Sequence, residues 1–181
     1  MNQYTSVKES KTPVYPCHRA PTQSHDHLTP SQELNDTGIA QCKHLCTAFP
    51  FHSKIDLIVA SPLRRAIQTA LIGYEPYVKQ GKKILLLPDL QEVSDLPMDV
   101  GSSQAELEKQ FGDVLDYSSM YDGWHEPKGR HAPDTEILLK RGGRIRRWLK
   151  GREERNIVAV FHGSFVHYVT GNIKDGEKVG E

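Results

Sequence analysis

The feature that most constrains this chain is an apolar run, NIVAVF, that ends directly at His162 and Gly163. A β-branched run of this kind predicts a buried parallel strand. Open α/β sheets carry their chemistry at the carboxyl ends of such strands, so His162 is a candidate active-site residue. The alternative is a partly buried histidine at a strand end, with Gly163 only relieving the turn.

A second apolar run, IDLIVA, leads directly into the segment SPLRRAIQTA, which begins at Ser61. Pro62 suits the first turn of a helix and Ser61 is a suitable N-cap, so we expect a helix over residues 62–73. Arg64 and Arg65 would then lie beside unpaired N–H groups at the positive end of the helix dipole. That arrangement favours an anion such as phosphate.

Strands that alternate with helices predict a three-layer α/β/α sandwich around a mostly parallel sheet. Pro16 removes a ladder donor, so the first strand is expected to be a poor one. The other expected elements also follow from the apolar pattern: a third strand over 84–87, and helices over 36–48, 104–111 and 135–151.

The 181-residue chain has 37% hydrophobic residues, and its 23 basic residues balance 23 acidic ones. This length supports one domain over residues 1–181 with a sizeable core. We expect residues 1–12 to be loose and residues 95–133 to form an insertion near the active site. A net charge of zero gives no general attraction to nucleic acid or membrane, so any anion site must be local.

Several classes of function are not expected. The basic residues of the helix over 135–151 are interpreted as a solvated face, because neither aromatic interleaving nor a nucleic-acid-binding fold accompanies them. No stretch has the length of a membrane span and the N-terminus lacks a signal-peptide apolar region, so a cytoplasmic location is expected. His25, Asp26 and His27 lack a third ligand at a recognisable spacing, so no metal site is predicted.

The combination of motifs resembles the histidine phosphatase superfamily, also called phosphoglycerate mutase-like proteins. The resemblance rests on residues 61–70, on LQE at 90–92 after the apolar run ILLL, and on FHG at 161–163. The segment LNDTGIAQC at 34–42 is similar to the family's first helix, so the resemblance covers about residues 14–170. In character the sequence is closest to fungal members. The resemblance implies a phosphoglycerate mutase-like fold and no cofactor.

The family signature after the first strand is Arg-His-Gly or Arg-His-Ala, whose histidine attacks phosphorus to give a phosphohistidine. This chain has Cys17-His18-Arg19-Ala20 there, with arginine and histidine transposed. The resemblance implies that His18 is the nucleophile. In-line attack holds an imidazole nitrogen about 3 Å from phosphorus, and a shift of one residue turns a side chain through a large angle. His18 reaches the pocket only if the loop readjusts.

The resemblance also implies that Glu92 is the proton donor, which requires burial or neighbouring negative charge to raise its pKa. His162 would act as a cation or hydrogen-bond donor toward the phosphoryl oxygens. Arg64 is expected to face solvent, because adjacent helical residues point about 100° apart. The resemblance further implies four residues that bind the phosphoryl group of the substrate: Arg19, Ser61, Arg65 and Gly163.

Three functions stay open. The first is a phosphatase or mutase-like hydrolase that acts on a small phosphorylated metabolite through a phosphohistidine, impaired or not by the transposed pair. The second uses Glu92 and His162 as acid and base in other chemistry on a small metabolite. The third is a catalytically dead relative that binds a ligand or partner. The chain closes soon after the His-Gly strand, which could expose a sheet face, so a homodimer is an expectation.

Overall fold

The computed structural model describes the main chain of residues 14–17 and residues 31–171. His18 and Arg19, and the histidines at 25 and 27, lie outside the described residues. The strands are β1 (Val14–Cys17), β2 (Leu57–Ala60), β3 (Ile84–Leu86), β4 (Leu115–Asp116) and β5 (Ile157–His162). The helices are α1 (Asp36–Ala48), α2 (Arg64–Gly73), α3 (Glu75–Val78), α4 (Gln104–Phe111), α5 (Thr135–Lys150) and α6 (Gly163–Thr170).

The five strands form one sheet in the order β1-β5-β2-β3-β4, and every pair is parallel. Because all strands run the same way, their carboxyl ends lie along one edge of the sheet. The three apolar runs of the sequence supply its central strands, β2, β3 and β5. The short β4 lies within residues 95–133 and was not predicted.

Both faces of the sheet are buried, as expected of a parallel sheet covered by helices. One set of alternating side chains packs with residues of α2 and α3, and includes Ile58, Ala60, Ile84, Leu86, Val158 and Val160. The opposite set packs with residues of α5 and α6, and includes Val59, Leu85, Leu87, Ile157, Ala159 and Phe161. This arrangement confirms the predicted three-layer α/β/α sandwich.

The first strand forms despite its proline. β1 pairs in parallel with β5 and lies at the edge of the sheet, where a missing N–H is tolerated. The register places Cys17 opposite His162. The chain therefore leaves β1 directly beside the end of β5.

The helix predicted over 62–73 begins two residues later, at Arg64, and Ser61 is not its N-cap. Leu63 occupies that position without a side-chain cap, and the N–H of Arg64 donates to Oγ of Ser31 over 3.1 Å. The local prediction failed because a distant residue supplies the cap and the Ser61 hydroxyl has another partner, described below.

The interpretation of the basic residues of α5 as a solvated face is wrong for two of them. Arg141 is 1% exposed, and Arg144 pairs with Asp89 over 2.8 Å. Lys140, Arg146 and Arg147 are exposed, as expected. Within the described part of the chain, no helix combines the length and the apolar character needed to cross a membrane.

Candidate active site

Three of the predicted site residues meet at the carboxyl edge of the sheet. Ser61 follows β2, Glu92 lies beyond the end of β3, and His162 ends β5. Arg65 is the second residue of α2 and reaches the same place. The four side chains arrive from different parts of the sequence, so the sheet brings them together.

The Arg65 guanidinium is the centre of this cluster. Its Nη1 donates to the carbonyl oxygen of Met98 over 2.8 Å. Its Nη2 donates to Oδ1 of Asp99 over 2.8 Å and lies 3.3 Å from Nδ1 of His162. By contrast, Nε of Arg64 donates to Oε1 of Gln110 over 2.7 Å, away from this cluster. The two adjacent arginines thus point to different surroundings, as helix geometry predicts.

The contacts of His162 define its tautomer. Arginine can only donate, so Nδ1 accepts from Arg65 and Nε2 carries the proton. Nε2 then donates to Oγ of Ser61 over 2.8 Å. Burial and the neighbouring Arg65 charge hold the pKa of His162 well below its ordinary value of 6.5. His162 is therefore neutral, although a bound phosphoryl dianion would favour its charged form.

The Glu92 carboxyl group has the surroundings of a general acid. Burial, and secondly the charge of Asp99, raise its pKa above the ordinary value of 4.5. Its Oε1 accepts from the N–H of Val93 over 3.0 Å, and its Oε2 lies 3.9 Å from Nδ1 of His162. Because His162 is neutral, that contact is not an ion pair. A raised pKa lets a carboxyl group keep its proton closer to neutral pH.

Ser61 and Gly163 occupy the edge of this cluster. Oγ of Ser61 accepts from the Leu63 N–H over 3.4 Å as well as from His162, so the hydroxyl holds the imidazole in place. Gly163 begins α6, and a Cβ built there meets nothing within 4 Å. The substrate-binding roles of both residues stay predictions.

His18 and Arg19 stay predictions as well. What the structure gives is the main chain just before them, where Cys17 lies opposite His162 in the sheet. Residue 18 therefore follows a position already at the edge where Arg65, Glu92 and His162 meet.

Sequence reasoning missed two residues of the site. Asp99 lies in the one-turn helix Pro97–Asp99, is 7% exposed, and also accepts from Oγ of Ser94. No motif or periodic pattern in the sequence around Asp99 predicts that it belongs to the site. Arg141 did carry a signal, because it lies three residues after Leu138 and four before Ile145, on the apolar stripe of α5. An arginine on such a stripe is a candidate for a buried role.

Among residues 31–171, no group of three or more histidine, cysteine, aspartate or glutamate side chains is arranged to hold a metal ion. The groups that meet at Arg65 are its own guanidinium, the Asp99 carboxylate paired with it, the Glu92 carboxyl group with a raised pKa, and the neutral imidazole of His162.

Comparison with known proteins gives the same family as the motifs. The family model of the histidine phosphatase superfamily, branch 1, matches residues 25–178. A probable phosphatase of Schizosaccharomyces pombe is 30% identical over 143 residues, which cover 77% of this chain. The match spans 63% of the length of that relative.

Solved structures share the fold at low sequence identity. The ecdysone phosphate phosphatase of Bombix mori, in complex with tungstate, has a TM-score of 0.57 and 17% identity, over 91% of this chain and 73% of that one. A protein described as mycobacterial hydrolase 2 has a TM-score of 0.50 and 16% identity, over 88% of this chain and 70% of that one. Together with the family match, which spans most of the chain, these findings identify it as a member of the histidine phosphatase superfamily, branch 1.

Proposed function

We propose that this protein is a phosphomonoester hydrolase that acts on a small phosphorylated metabolite through a phosphohistidine. The observation that carries the proposal is the meeting of Arg65, Glu92 and His162 at one edge of the sheet. Arg65 offers a permanent positive charge, and Glu92 offers a proton at a raised pKa. Phosphoryl transfer needs both, because charge accumulates on the phosphoryl oxygens and on the leaving oxygen.

In the first step an imidazole nitrogen of His18 attacks phosphorus in line with the ester oxygen. The P–O bond to the leaving group breaks, and Glu92 donates its proton to the departing alkoxide. In the second step the Glu92 carboxylate takes a proton from water, and that water attacks the phosphohistidine. The P–N bond breaks, which releases inorganic phosphate and restores both His18 and protonated Glu92.

Arg65 and His162 would bind the phosphoryl oxygens during both steps. The guanidinium of Arg65 can hold two oxygens at once. His162 lies against Arg65, and a phosphoryl dianion beside it would raise its pKa toward the charged form. Arg19, Ser61 and Gly163 are proposed to complete the anion pocket.

A second function, binding without turnover, is favoured by two specific observations. Histidine and arginine are transposed at positions 18 and 19, and the Arg65 guanidinium is paired with Asp99. A relative that has lost its nucleophile would keep an anion site and bind a phosphorylated ligand. This second function predicts binding of vanadate with no release of phosphate.

Release of inorganic phosphate from an aryl phosphate tests the proposal against this alternative. Turnover by the purified chain, inhibited by vanadate, supports the hydrolase. Vanadate binding with no turnover of aryl or alkyl phosphates supports the binding protein. Neither binding nor turnover contradicts both.

We propose a cytoplasmic protein that forms a homodimer. Light scattering of the purified chain tests the dimer, and a mass of 20.5 kDa in solution, that of one chain, contradicts it.

A further inference from the structure

Arg141 is a buried cation directly behind the proposed proton donor. It lies on α5 and is 1% exposed. Burial lowers the pKa of Arg141 from 12.5 to about 10. Its Nη2 donates to the carbonyl oxygen of Gln91 over 2.8 Å and to that of Glu92 over 2.9 Å. Its guanidinium carbon lies 4.0 Å from the centre of the Phe165 ring, in a cation–π contact.

Packing alone does not account for a charge at this position. Arg141 lies on the apolar stripe of α5, between Leu138 and Ile145, both buried. Burying a charge is costly, and an apolar side chain of similar volume often serves packing equally well. The hydrogen bonds described for Arg141 go to neutral main-chain carbonyls, and its Nε has no partner among the described residues. Packing alone would be served by methionine or leucine.

Arg141 contacts two different segments of the candidate site. The two carbonyl groups belong to the loop that carries Glu92, and Phe165 belongs to α6, which begins immediately after His162. One side chain thus contacts both the loop of the acid and the helix of the imidazole.

The helices that flank Arg141, α5 and α6, pack closely against each other. A Cβ built on Gly142 would lie 2.2 Å from the carbonyl oxygen of Tyr168, so α5 and α6 approach each other at main-chain distance. Arg146 reinforces the contact, since its Nη1 donates to the carbonyl oxygens of Tyr168 and Val169 over 2.7 and 3.1 Å. The close packing of α5 against α6 therefore restricts the movement of Arg141.

We propose that Arg141 is a positioning residue that fixes the main chain of Glu92, so that its carboxyl group stays aimed at the leaving oxygen. The proposal rests on the proposed function, in which Glu92 donates that proton. Its physical basis is that proton transfer needs an approach within hydrogen-bond reach, and a displacement of about 1 Å can cost roughly 100-fold in rate.

The test compares Arg141→Met with Arg147→Met, a matched loss of an arginine from the same helix at a position where the side chain is exposed. The measurement is kcat and KM for an alkyl and an aryl phosphate. Arg141→Met should lower kcat on the alkyl phosphate roughly 10-fold to 100-fold more than on the aryl phosphate, with little change in KM. Arg147→Met should not change the ratio between the two substrates. Arg141→Lys keeps a donor and should recover part of the loss.

The same substitution made in a Glu92→Gln background separates positioning from a general loss of structure. If Arg141 acts through the acid, Arg141→Met adds no further loss on the alkyl phosphate there. Equal losses on both substrates, or an undiminished loss in the Glu92→Gln background, overturn the proposal.

Hydrogen exchange gives a readout that does not depend on activity. The Val93 N–H donates to Oε1 of Glu92, so a peptide over residues 91–93 should exchange faster in Arg141→Met and at an unchanged rate in Arg147→Met. Should the wild type turn over neither substrate, the proposed function fails. Exchange then still decides whether Arg141 holds the loop, and unchanged exchange in Arg141→Met overturns that part as well. If Arg141→Met does not fold, Arg141→Lys takes its place in both measurements.

Discussion

Nη2 of Arg65 lies 2.8 Å from Oδ1 of Asp99, so the arginine that we propose to bind phosphate already faces a carboxylate. The Arg65 side chain is 18% exposed and that of Asp99 is 7% exposed, so water screens the pair only in part. A phosphoryl group that approaches Arg65 must compete with Asp99 or share the guanidinium with it. Asp99 also adds negative charge beside Glu92, which raises the pKa of that acid.

Asp99→Asn should strengthen the binding of vanadate and phosphate, on the order of tenfold, because the anion no longer meets a carboxylate at Arg65. It should also move the alkaline limit of activity to lower pH, since the pKa of Glu92 falls when Asp99 loses its charge. Titration calorimetry and a pH profile of kcat measure the two effects. Asp95→Asn is the matched control, because Asp95 lies exposed in the same loop. Unchanged or weaker anion binding in Asp99→Asn contradicts this account of the pair.

Arg65→Ala should abolish the stabilisation of the fold by anions. A ligand present at about a hundred times its dissociation constant stabilises the folded state by about 2.7 kcal/mol, which raises the melting temperature. The control is Arg64→Ala, since Arg64 contacts Gln110 on the neighbouring helix rather than His162. A melting temperature that rises equally with vanadate in both variants would show that Arg65 does not bind the anion.

Glu92→Gln should slow the hydrolysis of alkyl phosphates much more than that of aryl phosphates. An alkoxide needs a proton in order to leave, whereas a phenolate with electron-withdrawing groups needs little help. General acid assistance is worth about 100-fold to 10,000-fold. Steady-state rates on the two substrates give the comparison, and equal losses would remove Glu92 from the proton-donor role.

Loss of stability does not explain that expected effect. The folded pKa of Glu92 is raised, so the stability it contributes is present at low pH and is lost as pH rises through the folded value. Glutamine removes this cost of ionisation. Glu92→Gln should therefore be at least as stable as the wild type at pH 8, which a thermal melt measures.

The free energy of unfolding should fall as the solution is acidified below about pH 6.5. Burial lowers the pKa of His131 from 6.5 to about 4, and it lowers that of His162 as well. Below pH 6.5 these histidines bind protons in the unfolded chain but stay neutral in the folded one. The free energy of unfolding therefore falls as pH falls toward about 4. Urea titrations at several pH values measure the slope. His131→Gln should give a shallower slope than the wild type, and an unchanged slope contradicts the assignment.

The sequence predicted where Glu92 and His162 lie, because both follow apolar strands. Glu92 and His162 come after such runs, and parallel strands bring their carboxyl ends together. Asp99 could not be predicted, because its contact with Arg65 depends on the path of a segment rich in glycine and proline. Ser61 was assigned to a local helix cap, whereas its hydroxyl binds a histidine a hundred positions along the chain.

Arg141 shows a different limit. The periodicity of α5 was predicted correctly, but charge was taken to mean exposure. A buried arginine needs hydrogen-bond acceptors at fixed positions. For Arg141 these are the carbonyl groups of Gln91 and Glu92, which lie about fifty residues earlier in the sequence. Residue type alone did not indicate them.

The transposed pair is tested by restoring the family order. If His18 reaches phosphorus from its own position, the wild type turns over phosphate esters, and the double substitution His18→Arg with Arg19→His should lower the rate. If His18 points away, the double substitution should raise a feeble rate, because positioning contributes roughly 7 to 11 kcal/mol to such reactions. His18→Ala is the control, and it abolishes turnover only in the first case.

The most direct test of the proposed mechanism is to trap the covalent intermediate. Wild-type protein is mixed with an aryl phosphate, quenched in alkali, where phosphohistidine survives, digested, and analysed by mass spectrometry. The proposed mechanism predicts a phosphoryl group on the peptide that carries His18, lost on exposure to acid and absent in His18→Ala. Turnover without any phosphorylated peptide, or with label on a residue other than His18, would contradict it.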